Sequence, residues 1–98
     1  MRFVWDARKN RLNRAKHRVS FENAARVFDD PFALSIQDRI ENGEERWQTI
    51  GMIGSTVVVV VAHTVYEEKE EDVIRIISAR KATARERRIY ATQGTALE

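Results

Sequence analysis

Residues 56–66 read TVVVVVAHTVY, a run that is β-branched almost throughout. This composition is typical of a strand that is covered on both faces and therefore lies in the middle of a sheet. Alternation puts His63 on the same face as Val57, Val59 and Val61, where a structural role in the core or at its rim is the simpler interpretation. The apolar stretch is far too short to cross a bilayer.

The segments around this strand predict three more strands. Residues 32–39, FALSIQDR, alternate apolar and polar side chains, which indicates a half-buried strand. Residues 46–53, RWQTIGMI, form the next strand. Residues 72–79, DVIRIISA, form the last, after the acidic segment YEEKEED, which we expect to be an exposed hairpin loop. FVW at residues 3–5 is also compatible with a short strand.

Helix signals lie before and after the predicted sheet. Asp6 is well placed to cap a helix over about residues 7–17, and Ser20 to cap a second helix that ends before Pro31. The sequence TARE at residues 83–86 matches a capping box and begins a final helix. The order predicts an α+β fold with two N-terminal helices, a four-stranded, mainly antiparallel sheet and a C-terminal helix.

Composition limits the kinds of protein that this chain can be. It has 98 residues, of which 43% are hydrophobic and 33% charged, as expected for a globular chain. We expect residues 1–93 to form one domain and residues 94–98 a flexible tail, in part a cloning remnant. Cysteine is absent, which excludes disulfides and thiolate chemistry. The N-terminus, MRFVWDARKN, lacks the apolar core of a secretory signal, so we expect a cytoplasmic protein with no membrane partner.

The charge distribution says more than the net charge of +2. Residues 8–18 hold six cations and no acid, and residues 80–88 hold five cations and one acid. If these two basic segments meet in the fold, they form a patch suited to a polyanion. Alternatively, both are solvated helix faces, and charge alone does not decide between these interpretations.

Arg75 is the residue that points most clearly to a functional site. It lies within an apolar strand and alternates with Val73 and Ile77, and burying a guanidinium costs several kcal/mol unless acceptors meet it. It could pair with an internal carboxylate, or it could present a planar fork to a phosphate. Arg80 and Lys81 lie where the strand ends, so two or three cations could converge at one rim. They could instead protect an exposed strand end.

Several other residues are candidates for function. His17 and His63 could carry protons, and Arg85 and Arg88 share one face of the last helix. Tyr66 could stack on a base. No His, Asp or Glu spacing resembles a metal site, and there is no glycine-rich phosphate loop. A metal-free, cation-rich site suffices for RNA, because the 2′-hydroxyl of the substrate can attack the neighbouring phosphate.

Two motifs, WDARKNRLNRAKHRVSFENAARVFDDP (residues 5–31) and RIISARKATARERRIY (residues 75–90), resemble the BrnT family of bacterial type II toxins. The resemblance implies a RelE-like endoribonuclease that cleaves RNA without a metal or other cofactor and arrests translation. It also implies a BrnA-type antitoxin that inactivates the toxin and brings a DNA-binding domain, so that the toxin meets operator DNA only through the complex.

The resemblance extends to individual residues. The matching positions are Lys16 and His17 in AKH, Arg46 in EER, Arg75 in RIIS, and Arg80 and Lys81 in ARKA. Two positions depart from the family pattern. Arg18 stands where relatives often have glycine, which would affect the turn after the first helix. The basic residue expected after Thr64 is missing, and stacking by Tyr66 could replace it.

The favoured hypothesis is a toxin endoribonuclease. In it, Arg75, Arg80 and Lys81 bind and neutralise the scissile phosphate, and His17 or His63 acts as acid or base. Lys16, Arg46, Arg85, Arg88 and Tyr66 contact the RNA strand. The alternatives are a non-catalytic module that binds nucleic acid or an acidic partner, and a former toxin that only binds an antitoxin. The favoured hypothesis weakens if Arg75 is held by an internal carboxylate while Arg80 and Lys81 point into solvent.

Overall fold

The computed structural model describes the backbone of residues 1–96 and the side chains of residues 1–92. Its elements, in chain order, are β1 (Arg2–Val4), α1 (Ala7–His17), α2 (Phe21–Ala25), a 3₁₀ helix (Arg26–Asp29), β2 (Leu34–Glu41), β3 (Glu44–Ile53), β4 (Val57–Glu68), β5 (Glu71–Lys81) and α3 (Ala84–Ala96). The strands form one 5-stranded sheet in the order β1-β5-β4-β3-β2. None of the described helices is long and apolar enough to span a membrane.

The prediction of four strands is wrong by one strand. The predicted strands correspond to β2–β5, and their antiparallel pairing is confirmed. β1 adds a fifth strand, which pairs in parallel with β5 through Arg2–Val73, Phe3–Ile74 and Val4–Arg75. Parallel partners lie far apart in sequence, and a strand of three residues carries too little pattern to identify its partner.

Local capping explains where the helices begin. The Asp6 carboxylate accepts a hydrogen bond from the Lys9 amide at 3.0 Å, and Ser20 Oγ accepts one from the amide of residue 23 at 3.1 Å. Thr83 and Glu86 exchange the two bonds of a capping box at 2.9 and 3.2 Å. The predicted helix starts are therefore confirmed.

The end of the chain is helical beyond the predicted boundary of the domain. α3 continues to Ala96, so residues 94–96 of the predicted tail belong to a helix. Leu97 and Glu98, which we interpreted as a cloning remnant, lie outside the described residues.

The sheet has two differently covered faces. The back face, to which Val59 and Val61 of β4 belong, packs against α1, α2 and the 3₁₀ helix around the fully buried Phe21. In the described part of the chain, the front face, to which Val58 and Val60 belong, is covered only at one end, where α3 docks. β4 is thus central, and its first half, around Val58 and Val60, is covered on both sides, as its composition predicted.

β2 is more exposed than its alternating pattern suggested. Ile36 is 46% exposed and the preceding Phe32 is 60% exposed. β2 forms the edge of the sheet, beyond the reach of most of the helical cover. The alternation correctly indicated a strand, but it does not show whether another element covers the apolar side.

α1 is fastened to the outer edge of β5 by one buried side chain. Asn13 donates to the carbonyls of Val19 at 2.9 Å and Ala79 at 2.8 Å, and it accepts from the Ala79 amide at 3.1 Å. Asn10, one turn earlier, accepts from the Phe21 amide at 2.9 Å. The first two members of the Asn10–Asn13–His17 stripe therefore hold the fold together.

Gly51 allows the 3₁₀ helix to lie close to β3. A Cβ atom added at this position would be 2.5 Å from Val27 Cγ1 and 3.3 Å from Ala33 Cβ. Both neighbours belong to the apolar core on the back face, so neither can move away freely.

Candidate functional site

A β-bulge decides which cations of β5 share a face. The pairing between β4 and β5 skips Ile77, which is an extra residue on β5. Arg75 pairs with Thr64 and Arg80 pairs with Val60, so both arginines lie on the front face. Residues five apart point to opposite faces of a regular strand. The bulge therefore brings Arg75 and Arg80 to the same side.

Lys81 lies on the other side of the sheet. It pairs with Val59, whose side chain is in the core of the back face, and its own side chain is exposed next to α2. The expectation that Arg75, Arg80 and Lys81 converge therefore holds for the two arginines and fails for the lysine. Adjacent strand residues point to opposite faces, so one of Arg80 and Lys81 must point away from Arg75, and the extra residue on β5 decides that it is Lys81.

A row of arginines crosses the uncovered part of the front face. Arg46 of β3 pairs with Thr64 of β4, and Thr64 pairs with Arg75 of β5. On the other side, Arg39 of β2 pairs with Arg46. Directly opposite residues on neighbouring strands have Cβ atoms about 4.5–5.5 Å apart. Arg39, Arg46 and Arg75, hereafter the arginine row, therefore present a line of guanidinium groups on one surface.

The surroundings of the arginine row leave room for a ligand. A depression of about 300 Å³ lies between the row and the start of α1. It is lined by three cations, one carboxylate and two apolar residues, namely Lys9, Arg46, Arg75, Asp6, Ile76 and Ile77. Tyr66 lies two residues beyond Thr64 on the same face of β4 and is 39% exposed. Cationic and aromatic groups suited to a nucleic-acid strand thus occur together here.

The row retains unused hydrogen-bonding capacity. Nε of Arg46 and Oγ1 of Thr64 are buried and make no hydrogen bond with any described residue. Buried polar atoms without partners are rare in native structures and often occur at functional sites. These two belong to directly opposite residues at the centre of the row.

Surface carboxylates balance the row. Arg75 Nη2 lies 2.8 Å from Glu44 Oε1, and both side chains are 40% exposed. Glu41 contacts Arg39 at 3.0 Å and Arg46 Nε at 3.8 Å. Arg75 is therefore paired, but with a solvated carboxylate on the front face rather than an internal acid. Solvent-exposed ion pairs contribute about 0–1 kcal/mol, so an incoming phosphate can replace the carboxylate at little cost.

Arg80 is engaged by α3. Its guanidinium donates two hydrogen bonds to the Glu86 carboxylate, at 2.7 and 2.9 Å. These bonds raise the pKa of Arg80 and lower the pKa of Glu86 to about 2. Arg80 therefore anchors the last helix, on the same face as Arg75 and with a similar exposure, 39% compared with 40%.

Neither histidine belongs to the arginine row. His63 is on the back face and only 3% exposed, and its Nε2 lies 2.7 Å from Thr49 Oγ1. Burial lowers the pKa of His63, so its ring is neutral at pH 7. His17 is the last residue of α1, one turn beyond the Asn13 contact with Ala79. The sheet thus separates His63 from Arg75, and the two cannot act on one phosphate.

The remaining candidates are exposed on the helices. Lys16 lies on α1, and Arg85 and Arg88 lie on α3. The described contacts link none of these three side chains to the arginine row.

Sequence reasoning missed Arg39, although a signal for it exists. The Asn42–Gly43 dipeptide forms a two-residue hairpin turn with φ of 52° and 77°. Counting outward from such a turn pairs residue 41 with 44 and residue 39 with 46, as observed. Glu44 and Lys9 were missed because nothing local distinguishes them from other surface charges.

The chain matches a known protein family. Residues 5–86 match the family described as the ribonuclease toxin BrnT of type II toxin–antitoxin systems. The protein belongs to this family. The matched range contains the arginine row and Arg80. BrnT membership establishes a ribonuclease toxin, and it implies an RNA target and a protein antitoxin.

A solved structure with the same fold is the 1.1 Å crystal structure of the ribonuclease toxin BrnT from Brucella abortus. It matches with a TM-score of 0.65 and 22% sequence identity, over 85% of this chain and 97% of that one. At this identity the likeness is evidence for the fold alone. No curated protein matches the chain.

Proposed function

We propose that this BrnT protein is an endoribonuclease that cleaves RNA on its front face in the cytoplasm, without a metal ion. The observation that carries the proposal is the arginine row on a part of the sheet that none of the described helices covers. Guanidinium groups bind phosphate oxygens through two parallel hydrogen bonds, and three in line match successive phosphates of one strand. Lys9 adds a further cation at the edge of the row.

The chemistry requires only groups that the RNA, the front face and solvent water supply. The 2′-oxygen attacks the neighbouring phosphorus, and the bond from phosphorus to the 5′-oxygen breaks. The departing 5′-oxygen takes up a proton from solvent water, so that a 2′,3′-cyclic phosphate and a 5′-hydroxyl form. Arg75 stabilises the additional negative charge of the phosphorane. Glu44, which contacts Arg75 at 2.8 Å, accepts the proton of the 2′-hydroxyl once the phosphate has displaced it from the guanidinium. DNA lacks the attacking hydroxyl and is not cleaved.

Residues farther from the reacting phosphate bind the RNA strand, and a partner protein regulates the enzyme. Tyr66 stacks on a base beside the row, and Lys16, Arg85 and Arg88 contact the RNA backbone farther away. The antitoxin is of the BrnA type, and operator DNA meets the toxin only through that complex. Arg80 acts indirectly in this proposal, because its contact with Glu86 places α3 at the border of the site.

A non-catalytic RNA-binding module is the second candidate. Two observations favour it: both histidines lie away from the front face, and each arginine of the row already contacts a carboxylate. A module of this kind binds RNA with an affinity that falls steeply as salt is added, and it forms no product.

The decisive experiment is cleavage of a short labelled RNA by the purified protein in the presence of a chelator. We expect products with cyclic phosphate ends, and no cleavage where a single 2′-deoxynucleotide replaces the target ribose. Arg75→Ala should slow cleavage about 100- to 1,000-fold, the usual loss when one transition-state donor is removed. Glu44→Gln should also slow it without weakening RNA binding.

Arg2→Ala is the matched control. Arg2 pairs with Glu68 at 3.1 Å and its side chain is 44% exposed, compared with 2.8 Å and 40% for Arg75. This variant should cleave like the wild type. Tight binding to intact RNA over a long incubation would instead identify the non-catalytic module, and cleavage of an all-DNA strand would exclude the 2′-hydroxyl mechanism.

A further inference from the structure

The back face of the sheet carries an apolar hollow that the proposed cleavage reaction does not use. It has a volume of about 470 Å³. Its lining includes Phe28, Glu45, Trp47, His63, Val65 and Ile74. Glu45, Val65 and Ile74 are next in sequence to Arg46, Thr64 and Arg75, respectively, and adjacent strand residues point to opposite faces. The hollow therefore lies directly behind those three paired residues.

Apolar surface continues from the hollow towards β2. Val65 pairs with Ile74 and is 43% exposed, and Ile40 pairs with Glu45 and is 66% exposed. Side chains of this kind, next to a hollow lined by Trp47 and Phe28, resemble the centre of a protein–protein interface, where aromatic and aliphatic groups supply most of the binding energy.

Uncompensated acids border the hollow. Glu67 and Asp72 pair directly across β4 and β5 on the back face, one step beyond Val65 and Ile74. Like charges in opposite positions destabilise a sheet. Neither they nor Glu45 take part in an ion pair with any other described residue, although the chain carries a net charge of +2.

We propose that the hollow receives a large apolar side chain of the antitoxin, flanked by lysine or arginine residues that pair with Glu45, Glu67 and Asp72. The proposal rests on the toxin–antitoxin assignment and deepens it by locating a contact of the inhibitor. The three carboxylates repel phosphates, which excludes RNA as the occupant. A partner docked here leaves the arginine row open, so this contact supplies affinity and does not itself block the RNA.

Two valines on β4 allow a matched test. Val65 and Val57 are on the same face of the same strand and are 43% and 39% exposed, but only Val65 lines the hollow. The probe is a labelled BrnA-type antitoxin, titrated with the full-length toxin and followed by fluorescence anisotropy. Val65→Lys should weaken binding at least about 30-fold, the loss typical of a central interface residue. Val57→Lys should stay within about threefold of the wild type, as expected for a residue outside the interface.

Charge provides an independent readout. Glu45→Gln should weaken binding several-fold and make it less sensitive to added salt, because one charge pair is lost. RNA cleavage by the Val65 and Val57 variants without antitoxin should equal that of the wild type. This control separates the docking proposal from the proposed nuclease activity, because the binding titration stands even if no cleavage occurs.

Several outcomes would overturn the proposal. One is equal antitoxin affinity for Val65→Lys and Val57→Lys. Another is a toxin dimer that forms without antitoxin and that Val65→Lys dissociates, as measured by sedimentation velocity. The occupant of the hollow would then be a second copy of the chain. If circular dichroism shows that Val65→Lys is unfolded, Val65→Thr and Glu45→Gln decide: unchanged affinity in both variants refutes the proposal.

Discussion

The Glu86→Gln variant tests how α3 is held on the sheet. Glu86 receives two hydrogen bonds from Arg80 and one from the Thr83 amide. Glutamine has nearly the same shape and keeps an oxygen that can accept the Thr83 bond, so the capping box survives. The substitution removes the negative charge, and with it the charge-assisted part of the contact with Arg80.

The magnitude follows from the pKa of Glu86. Hydrogen bonds from Arg80, and to a smaller extent those with Thr83, lower this pKa from an ordinary 4.5 to about 2. A shift of this size corresponds to at most about 3 kcal/mol of unfolding free energy. The Arg80 side chain is 39% exposed, so solvent screening reduces the contribution, and we expect about 1–2 kcal/mol at pH 7.

The pH dependence has a definite sign. Because folding lowers the pKa of Glu86, the stabilisation is present above pH 4.5 and is lost as the pH falls towards about 2. Urea unfolding of the wild type and Glu86→Gln should therefore differ at pH 7 and converge near pH 2. Other carboxylates titrate equally in both proteins, and the difference between the two curves cancels them. A difference that stays constant from pH 7 to pH 2 would refute this account of the contact.

Three further substitutions test the fold. Arg18→Gly should raise the unfolding free energy by about 0.5–1 kcal/mol, because Arg18 ends α1 at φ 61°, a left-handed conformation that glycine adopts without strain. Thermal melting measures this change, and a lower melting temperature of the variant would contradict the prediction. Asn13→Ala should cost about 2–4 kcal/mol in urea unfolding, since backbone groups of Val19 and Ala79 lose their partner. Gly51→Ala should cost about 1–3 kcal/mol in the same assay, because its Cβ would meet the core beneath the 3₁₀ helix. Wild-type stability in either variant would show that the site can relax.

Features with a local cause could be predicted from the sequence. The helix starts depend on side chains that bond backbone amides only three residues away, namely Asp6, Ser20 and the Thr83–Glu86 pair. They can therefore be predicted from neighbouring residues alone. The central position of β4 followed from its β-branched composition, because only a strand buried on both faces has so few polar side chains. Membership of the BrnT family followed from two short motifs and is confirmed over residues 5–86.

Features that depend on distant pairing could not be predicted. The partner of β1 is β5, at the other end of the chain. The sequence showed that Arg75, Arg80 and Lys81 are near one another along the strand, but their faces depend on a bulge whose position β4 determines. The carboxylates that balance the arginines, Glu44 and Glu86, come from other elements, and surface charges of this kind carry no local pattern.

Because β5 carries an extra residue, it tolerates the loss of one residue better than the gain of one. Removal of Ile77 would place the arginine beside Thr64 and the one beside Val60 four residues apart, and a regular strand would then keep both on the same surface. Insertion of one residue would turn one of the two cations to the opposite surface unless a second irregularity formed. When BrnT sequences are aligned, a one-residue gap at this point is therefore compatible with an unchanged site, whereas a one-residue insertion signals a different arrangement of charges.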